Sequence, residues 1–534
     1  MPLTSRVTSR ADDAALPLDK LLAEGAHGPR GLLLPVGPAG RTALAALRSP
    51  AVAVTRAAGL AAGLAADLGR IALGARPPVA RGDDPRHADE VWADDPLLSR
   101  LLRAHRSTRD TVLELVDDLA PDPDDADRLR FAVTRIADLL APGTNPLLQP
   151  KALRETAQTG GVSTVAAVRA LAEDLRSAPR IPEAGLRLEP GVDTATAPGA
   201  VVLRTPRFEL IHYLPATEHV DEVPVLVVPG FVNRFHLVDL APDHSLVRRL
   251  VADGRQVLAL SWAAPTGDAG LEDYAESLAE AVHACTRICR TDRVVLLGLS
   301  TGGVLAAAVA ARLRTVAGLV LAGTALDRPA GPAARGPVSG STLVELHALL
   351  CPDELVWPAW ERRYLGAPAP VDPLRAWNLD ALDVPATLHR DLARSGAVAR
   401  PGGLRLLDGP VDLGDLAAEA YVVAGVTDRV GSWQAVYRST QVLGGKSRFV
   451  LVPGSTAAAV GYDTGSFRAA DSAVSAGNPA DAERWRSASS IVRGGWWGDL
   501  SEWLAERTGG RVDAPPELGG RGLLPLAPAP GTYV

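Results

Sequence analysis

Apolar and polar positions follow two different patterns along the chain, and the change falls near residue 200. In the first third, apolar residues recur every three or four positions, which is the spacing of amphipathic helices. This spacing predicts helices over residues 43–75 and 94–140, with an acidic turn at 121–125 that interrupts the second range. Four prolines between residues 177 and 200 then indicate a boundary.

Beyond the boundary, short and wholly apolar runs alternate with segments of helical spacing. Buried parallel strands that are covered by helices on both faces have this pattern. Residues 326–410 interrupt the alternation with Trp, Pro and helical pieces, and they predict a cap. The predicted fold class is therefore α/β, with a mostly parallel sheet. The runs predict strands at 225–228, 256–260, 294–297, 319–322, 421–424 and 449–452, and the intervening segments predict helices at 271–288 and from the glycine at 298 to about 314.

Composition narrows the class of protein. The 534 residues are 47% apolar with a net charge of −7, which excludes a wholly disordered chain and argues against a nucleic-acid binder. Three cysteines cannot build a disulfide framework, so we expect a reducing compartment. The longest N-terminal apolar stretches, such as residues 57–66, are about half of a membrane span. We therefore expect a cytoplasmic protein with no secretory signal and no transmembrane segment.

One short motif carries chemistry. Gly298-Leu-Ser300-Thr-Gly302 matches G-x-S-x-G and lies between a predicted strand and a predicted helix. Small flanking residues allow a tight turn that lifts the serine clear of the sheet, and the N–H of Thr301 then faces a developing oxyanion. The sequence therefore predicts Ser300 as a nucleophile.

The partners of Ser300 are sought at the ends of the other strands. Phe231 follows the strand 225–228, and its backbone N–H is the second predicted oxyanion donor. Asp428 follows the strand 421–424 and is the candidate acid, although an ordinary loop aspartate fits there too. In proteins whose nucleophile lies in such a strand-to-helix turn, the catalytic residues follow one another along the chain as serine, acid and histidine. None of the ten histidines of this chain follows Asp428. A standard triad cannot be drawn in the usual order.

Two other groups of side chains are candidates for a metal site or for a catalytic base. His283, Cys285 and Cys289 share one predicted helix, but no further metal ligand is apparent, so helix packing is the favoured interpretation. His236 and His244 flank the loop after residue 228 and could approach Ser300, although polar loop residues have the same appearance. No phosphate-binding loop or dinucleotide motif follows a strand, so we expect no cofactor and no metal.

Nearly the whole chain resembles the polyhydroxyalkanoate synthases, which polymerise (R)-3-hydroxyacyl-CoA at granule surfaces and have an α/β-hydrolase fold. The N-terminal part carries the similar runs His87–Trp92, Asp95–Leu98, Asn145–Leu148 and Glu155–Gly161. The remainder carries Phe208–Tyr213, Val223–Pro229, Asn233–Phe235, Asp239–Leu240, Ser245–Leu250, Ser261–Trp262, Trp377–Asp380, Pro410–Leu416, Ser439–Gln441 and Trp496–Trp497.

The resemblance implies a helical domain at 1–195 and an α/β-hydrolase domain at 196–534 with a cap at about 326–410. It places the family's nucleophilic cysteine on Ser300, its acid on Asp428 and its catalytic histidine on Thr456. A second family histidine falls on Arg429. It also implies an acyl-CoA substrate and a homodimer. The nucleophile is therefore altered and the base is missing.

Three functions remain open at this point. The chain is an acyltransferase of the synthase type, with Ser300 as nucleophile. Alternatively, it is a catalytically silent paralogue that binds an active synthase, as a heteromer, or the granule. The third alternative is a serine esterase or thioesterase with a base rebuilt from His236 or His244.

Overall fold

The structure is a computed structural model, and it describes residues 36–74, 85–87, 89–145, 148–176, 188–328, 336–365, 372–470 and 478–534. Its helices are α1 (Val36–Arg48), α2 (Pro50–Ala72), α3 (Val91–Asp94), α4 (Pro96–Leu119), α5 (Pro123–Leu139), α6 (Pro150–Gln158), α7 (Val162–Arg176), α8 (Leu246–Ala252), α9 (Leu271–Cys289), α10 (Thr301–Arg312), α11 (Gly340–Leu350), α12 (Pro352–Leu365), α13 (Pro373–Leu379), α14 (Ala386–Arg394), α15 (Trp433–Arg438), α16 (Thr456–Tyr462), α17 (Ala482–Ala488) and α18 (Trp496–Ala505).

The strands build one large sheet and three small ones. They are β1 (Gly199–Arg204), β2 (Phe208–Tyr213), β3 (His219–Asp221), β4 (Val225–Val228), β5 (Asp239–Ala241), β6 (His244–Ser245), β7 (Val257–Trp262), β8 (Val294–Leu299), β9 (Val316–Ala322), β10 (Leu404–Leu406), β11 (Gly409–Val411), β12 (Glu419–Gly425), β13 (Ser447–Val452), β14 (Ser466–Ala469), β15 (Ser490–Arg493), β16 (Arg511–Asp513) and β17 (Ala527–Pro528).

The large sheet has the strand order β15-β14-β13-β12-β9-β8-β4-β7-β2-β1-β17. Its six central strands, from β13 to β7, are parallel to one another. The strands on both flanks are antiparallel. The predicted α/β class with a mostly parallel sheet is therefore confirmed.

Hydrophobic burial explains the apolar runs of the central strands. All four residues of β4 and all six of β8 are buried, because helices cover both faces of the sheet. One face packs against α9 and α10, and the other packs against α8 and α18. Each central strand therefore contributes side chains to two cores, which an alternating polar pattern would not allow.

The parallel arrangement also decides where loops meet. Strands β4 and β8 are neighbours in register, with Val228 opposite Gly298 at their carboxyl ends. Next to them come β9, β12 and β13, all with the same direction. The loops that follow these five strands consequently leave one edge of the sheet side by side.

The two edges of the large sheet differ. At one edge, β17 pairs with β1 and contains Pro528, which has no N–H to donate. At the other edge, β15 pairs with β14, and all four of its residues are exposed. Within the part of the chain that the structure describes, no strand pairs with the outer side of β15.

The described residues form two compact units. One unit contains α1 to α7 together with residues 345–365, and the other contains the large sheet. In the first unit, Trp92, Leu98 and Leu102 form a small core, and Asp95 caps α4 by accepting the N–H groups of residues 97 and 98. Residues 345–365 lie inside the predicted cap along the sequence but group with the N-terminal helices.

Helix α2 is longer and more apolar than the sequence analysis expected. By length and composition it is the one helix among the described residues that could cross a membrane, with a mean hydropathy of 1.4 over its most apolar window and none of that window buried. Alanine and glycine supply much of that length. Its polar side chains bond to α4, since Arg56 donates to Asp118 at 2.9 Å and Ser107 donates to Asp67 at 3.3 Å.

Candidate active site

Ser300 lies at a sharp turn between β8 and α10, as the G-x-S-x-G motif predicts. Its backbone has φ 49° and ψ −118°, a left-handed conformation that non-glycine residues rarely adopt and that costs about 1–3 kcal/mol. Two hydrogen bonds hold it there. The Ser300 N–H donates to the carbonyl of Ala322 at 2.8 Å, and the Thr324 hydroxyl donates to the Ser300 carbonyl at 3.0 Å. Ser300 itself is exposed.

The glycines of the motif are required by close approach. A β-carbon on Gly302 would lie 2.2 Å from the carbonyl oxygen of Pro229, and one on Gly298 would lie 2.4 Å from the Cα of Gly303. The Pro229 carbonyl is fixed, because the Trp262 indole N–H donates to it at 3.1 Å. The turn after β8 therefore packs directly on the loop after β4.

The loop after β4 carries the second predicted oxyanion donor, Phe231. The ring of Phe231 is buried against Tyr274 and Trp262, with centroids 4.7 and 6.0 Å away, and this anchors the loop. Its backbone N–H donates to the hydroxyl of Thr301 at 3.1 Å. The Thr301 N–H is in the first residue of α10, a position with no intrahelical acceptor. The two predicted donors are thus neighbours, with the Thr301 hydroxyl between them.

Asp428 lies in the loop after β12 and accepts three backbone hydrogen bonds. One carboxylate oxygen accepts the N–H groups of Val430 and Gly431 at 3.0 and 3.2 Å. The other oxygen accepts the N–H of Thr456 at 3.1 Å. The carboxylate is therefore fixed beside the residue on which the family's histidine falls.

Thr456 is the first residue of α16 and is buried. Its hydroxyl accepts the N–H of Gly425, the last residue of β12, at 2.9 Å. Its methyl group lies 3.3 Å from where a β-carbon on Gly323 would be. Thr456 therefore packs over the carboxyl edge of the sheet between β9 and β12 and satisfies a buried backbone donor. A hydroxyl in this position offers no base to Ser300.

The two histidines considered as replacement bases, His236 and His244, lie elsewhere in the unit that contains the large sheet. His236 is buried in a short 3-10 helix after the β4 loop, and burial, with the Arg234 charge adding, lowers its pKa to about 4. His244 is exposed and packs edge-on against Tyr462 with 4.9 Å between ring centroids. In the described part of the chain, no hydrogen bond joins either imidazole to Ser300 or Asp428.

The cysteines of α9 are packed as the favoured interpretation expects. Cys285 is fully buried in the core and His283 is exposed. Burial raises the pKa of Cys289 to about 12, so this thiol stays protonated at neutral pH.

The sequence analysis missed a second group of potential metal ligands, which consists of His347, Cys351 and Glu354. Their spacing, H-x3-C-x2-E, is visible in the sequence. Only the structure shows that the three side chains, which come from two helices and the junction between them, lie close together.

Comparison with known proteins gives a consistent result. The family model described as the N-terminus of poly-beta-hydroxybutyrate polymerase (PhaC) matches residues 83–250. Poly(3-hydroxyalkanoate) polymerase 2 of Ectopseudomonas oleovorans is 33% identical over 507 residues, covering 88% of this chain and 90% of the relative. Polymerase 1 of the same organism is 31% identical, with 88% and 89% covered. The PhaC subunit of Cupriavidus necator is 29% identical, with 84% and 83% covered.

Solved structures were compared as well. A soluble variant of monoglyceride lipase from Saccharomyces cerevisiae aligns with a TM-score of 0.37 at 11% identity, over 62% of this chain and 100% of that chain. The sequence relatives, by contrast, match from the helical part through the large sheet at about one residue in three. On that similarity, the chain belongs to the poly(3-hydroxyalkanoate) polymerase family.

Proposed function

We propose that the chain is an acyltransferase of the polyhydroxyalkanoate synthase type that acts on (R)-3-hydroxyacyl-CoA, with Ser300 as its nucleophile. The observation that carries the proposal is the left-handed turn that presents an exposed Ser300 beside the Phe231 loop. Backbone strain of this kind clusters at active sites, and at Ser300 two backbone hydrogen bonds hold it in place. The family relatives, which are named as poly(3-hydroxyalkanoate) polymerases, supply the substrate class.

The reaction begins at the thioester carbonyl. The Ser300 oxygen bonds to the carbonyl carbon, the C–S bond breaks, CoA leaves as a thiolate, and the serine proton passes to water. A hydroxyl group of a second acyl unit then attacks the serine ester, and Ser300 regains a proton. Because a serine hydroxyl depends on a base, and Thr456 provides none, we expect slow turnover.

The developing oxyanion is held by Thr301. Its N–H donates from the first residue of α10, where the helix dipole also favours negative charge. Its hydroxyl accepts the Phe231 N–H at 3.1 Å and retains its own proton to donate. The Phe231 amide therefore acts through the Thr301 hydroxyl and orients it.

A second candidate function rests on Thr456. Thr456 stands where the resemblance places the family's histidine, and its hydroxyl, which is bonded to the backbone of Gly425, supplies no base. This favours a silent paralogue that forms a heteromer with an active synthase or binds the surface of a cytoplasmic granule.

The test is CoA release from 3-hydroxybutyryl-CoA and from a longer 3-hydroxyacyl-CoA, with wild type beside Ser300→Ala. The acyltransferase predicts release that Ser300→Ala abolishes, and a serine-bound acyl group detectable by mass spectrometry. Release equal to the Ser300→Ala background would reject the acyltransferase and support the silent paralogue. A fluorophosphonate probe adds a third readout, since an esterase with an activated serine is labelled and a silent paralogue is not.

A further inference from the structure

A cluster of three potential metal ligands lies outside the Ser300 loops, in the unit that contains the N-terminal helices. It consists of His347, Cys351 and Glu354. Each residue offers one ligand atom, and the three atoms all lie within 4.8 Å of one another. We infer that these residues form a binding site for a zinc-like divalent cation.

The backbone places the three side chains together. His347 lies in α11, and the N–H of Cys351 donates to its carbonyl at 2.7 Å, so that imidazole and thiol are one helical turn apart. Pro352 then begins α12, and the N–H of Glu354 donates to the carbonyl of Cys351 at 3.0 Å. The ligands are thus fixed by an ordered junction between two helices, which lowers the conformational cost of binding an ion.

The distances fit a tetrahedral ion after a small adjustment. Zn–N and Zn–O bonds of about 2.0–2.2 Å and Zn–S bonds of about 2.3 Å separate neighbouring ligand atoms by roughly 3.3–3.7 Å. The His347 Nε2 and the Glu354 Oε2 are already 3.2 Å apart. The sulfur has to approach by at most about 1 Å, a movement within reach of a side-chain rotation.

The donor set selects the class of metal. An imidazole nitrogen, a thiolate and a carboxylate suit Zn²⁺, whereas Mg²⁺ and Ca²⁺ prefer oxygen ligands alone. With thiol and carboxyl ionised the ligands carry two negative charges, which a divalent ion neutralises.

Burial leaves one coordination position accessible. Cys351 is buried at 7% exposure, whereas the side chains of His347 and Glu354 are 23% and 24% exposed. Three protein ligands with a solvent-facing side leave the fourth position to water. The competing explanation is an ion pair between His347 and Glu354 in which the thiol takes no part. The metal site and the ion pair differ in one respect, which is whether the Cys351 sulfur binds an added metal ion.

The test uses Co²⁺ as a spectroscopic substitute for Zn²⁺ on the full-length chain without an affinity tag, after removal of metal with EDTA. We expect one equivalent of Co²⁺ to produce visible bands of a tetrahedral ion and a near-ultraviolet charge-transfer band from the thiolate, both displaced by Zn²⁺. Cys351→Ser is expected to remove the charge-transfer band. His347→Gln is expected to weaken binding by more than the roughly 10–100-fold typical of losing a residue that only supports a ligand.

Cys289→Ser is the matched control, because this thiol is packed in α9 of the other unit and its loss leaves the spectrum unchanged. If Cys351→Ser does not fold, alkylation of wild type gives a second measurement, in which Zn²⁺ slows modification of Cys351 and not of Cys289. The inference is overturned by a wild-type chain that takes up no stoichiometric Co²⁺ or Zn²⁺. It is equally overturned by a charge-transfer band that survives in Cys351→Ser, or by alkylation of Cys351 that is indifferent to Zn²⁺.

Discussion

Replacing Thr456 with histidine should restore a general base to the site. The backbone N–H of residue 456 donates to one Asp428 oxygen at 3.1 Å, and this bond does not depend on the side chain. That oxygen has two lone pairs, so it can also accept an imidazole N–H. Asp428 is thus already held where it would orient a histidine at residue 456, at the edge of the sheet that also carries Ser300.

The substitution should lower the stability of the fold, and the contacts of Thr456 indicate by how much. It removes the hydroxyl that accepts the Gly425 N–H, and a buried donor left without a partner costs about 1–3 kcal/mol. An imidazole is also larger than the Thr456 side chain, which is buried and packs over Gly323, so overpacking adds roughly 1–3 kcal/mol. Thr456→Asn loses the same hydroxyl but supplies no base, and it is the matched control.

A positioned general base contributes about 10²–10⁴-fold to rate, or roughly 2.7–5.4 kcal/mol of activation free energy. We therefore expect Thr456→His to release CoA from 3-hydroxybutyryl-CoA at least about a hundredfold faster than Thr456→Asn. Thermal melts of both variants verify folding, and the double variant Ser300→Ala/Thr456→His verifies the nucleophile. Equal rates in two folded variants, or a gain that survives loss of Ser300, would refute the proposed arrangement.

Three further predictions concern the turn and its surroundings. Thr301→Val should lower CoA release by about 10²–10³-fold, as loss of an oxyanion donor does, while Thr301→Ser keeps the hydroxyl and should retain most of the rate. Gly302→Ala should prevent formation of the turn, because its β-carbon would lie 2.2 Å from the Pro229 oxygen; soluble protein with wild-type melting would contradict this. For His236, the folded-state pKa of about 4 is below its ordinary 6.5, so its contribution to stability is present above pH 6.5 and falls as the pH drops toward 4, by up to roughly 3 kcal/mol. His236→Phe should therefore reduce, but not abolish, the fall in melting temperature between pH 6.5 and 4, because His212 is buried with a similarly lowered pKa of about 4. CoA release should stay unchanged; its loss in a folded variant would contradict the assignment of His236 to packing.

The central sheet was predictable because its strands are buried on both faces. β4 begins and ends at the predicted residues, and β8, β9, β12 and β13 extend the predicted runs by one to three residues. The flanking strands were less visible. β14 carries Ser466 and Arg468 on a half-buried edge, and β17 contains a proline, so neither has the apolar run that marks a central strand.

The sequence predicts those parts of the candidate site that depend only on the position of a residue along the backbone. Ser300 and Asp428 follow from strand ends and a turn motif. The hydroxyl of Thr301 on the Phe231 N–H, and that of Thr456 on the Gly425 N–H, depend on how two loops approach each other, which no local pattern specifies. Of residues 177–200, where the sequence indicates a boundary, residues 177–187 lie outside the described residues.

The unequal edges of the large sheet restrict the symmetry of any assembly that is built by adding strands. Pro528 withholds a donor at the β17 edge, whereas β15 presents a row of exposed residues that includes Ile491 at 63% exposure. Where the large sheet of the described residues has one receptive edge, that edge can pair only with the same edge of a second copy. Two β15 strands paired antiparallel form a contact with twofold symmetry, which uses both receptive edges and is complete with two molecules. Strand addition through the β15 edge of the large sheet would therefore end at a closed pair.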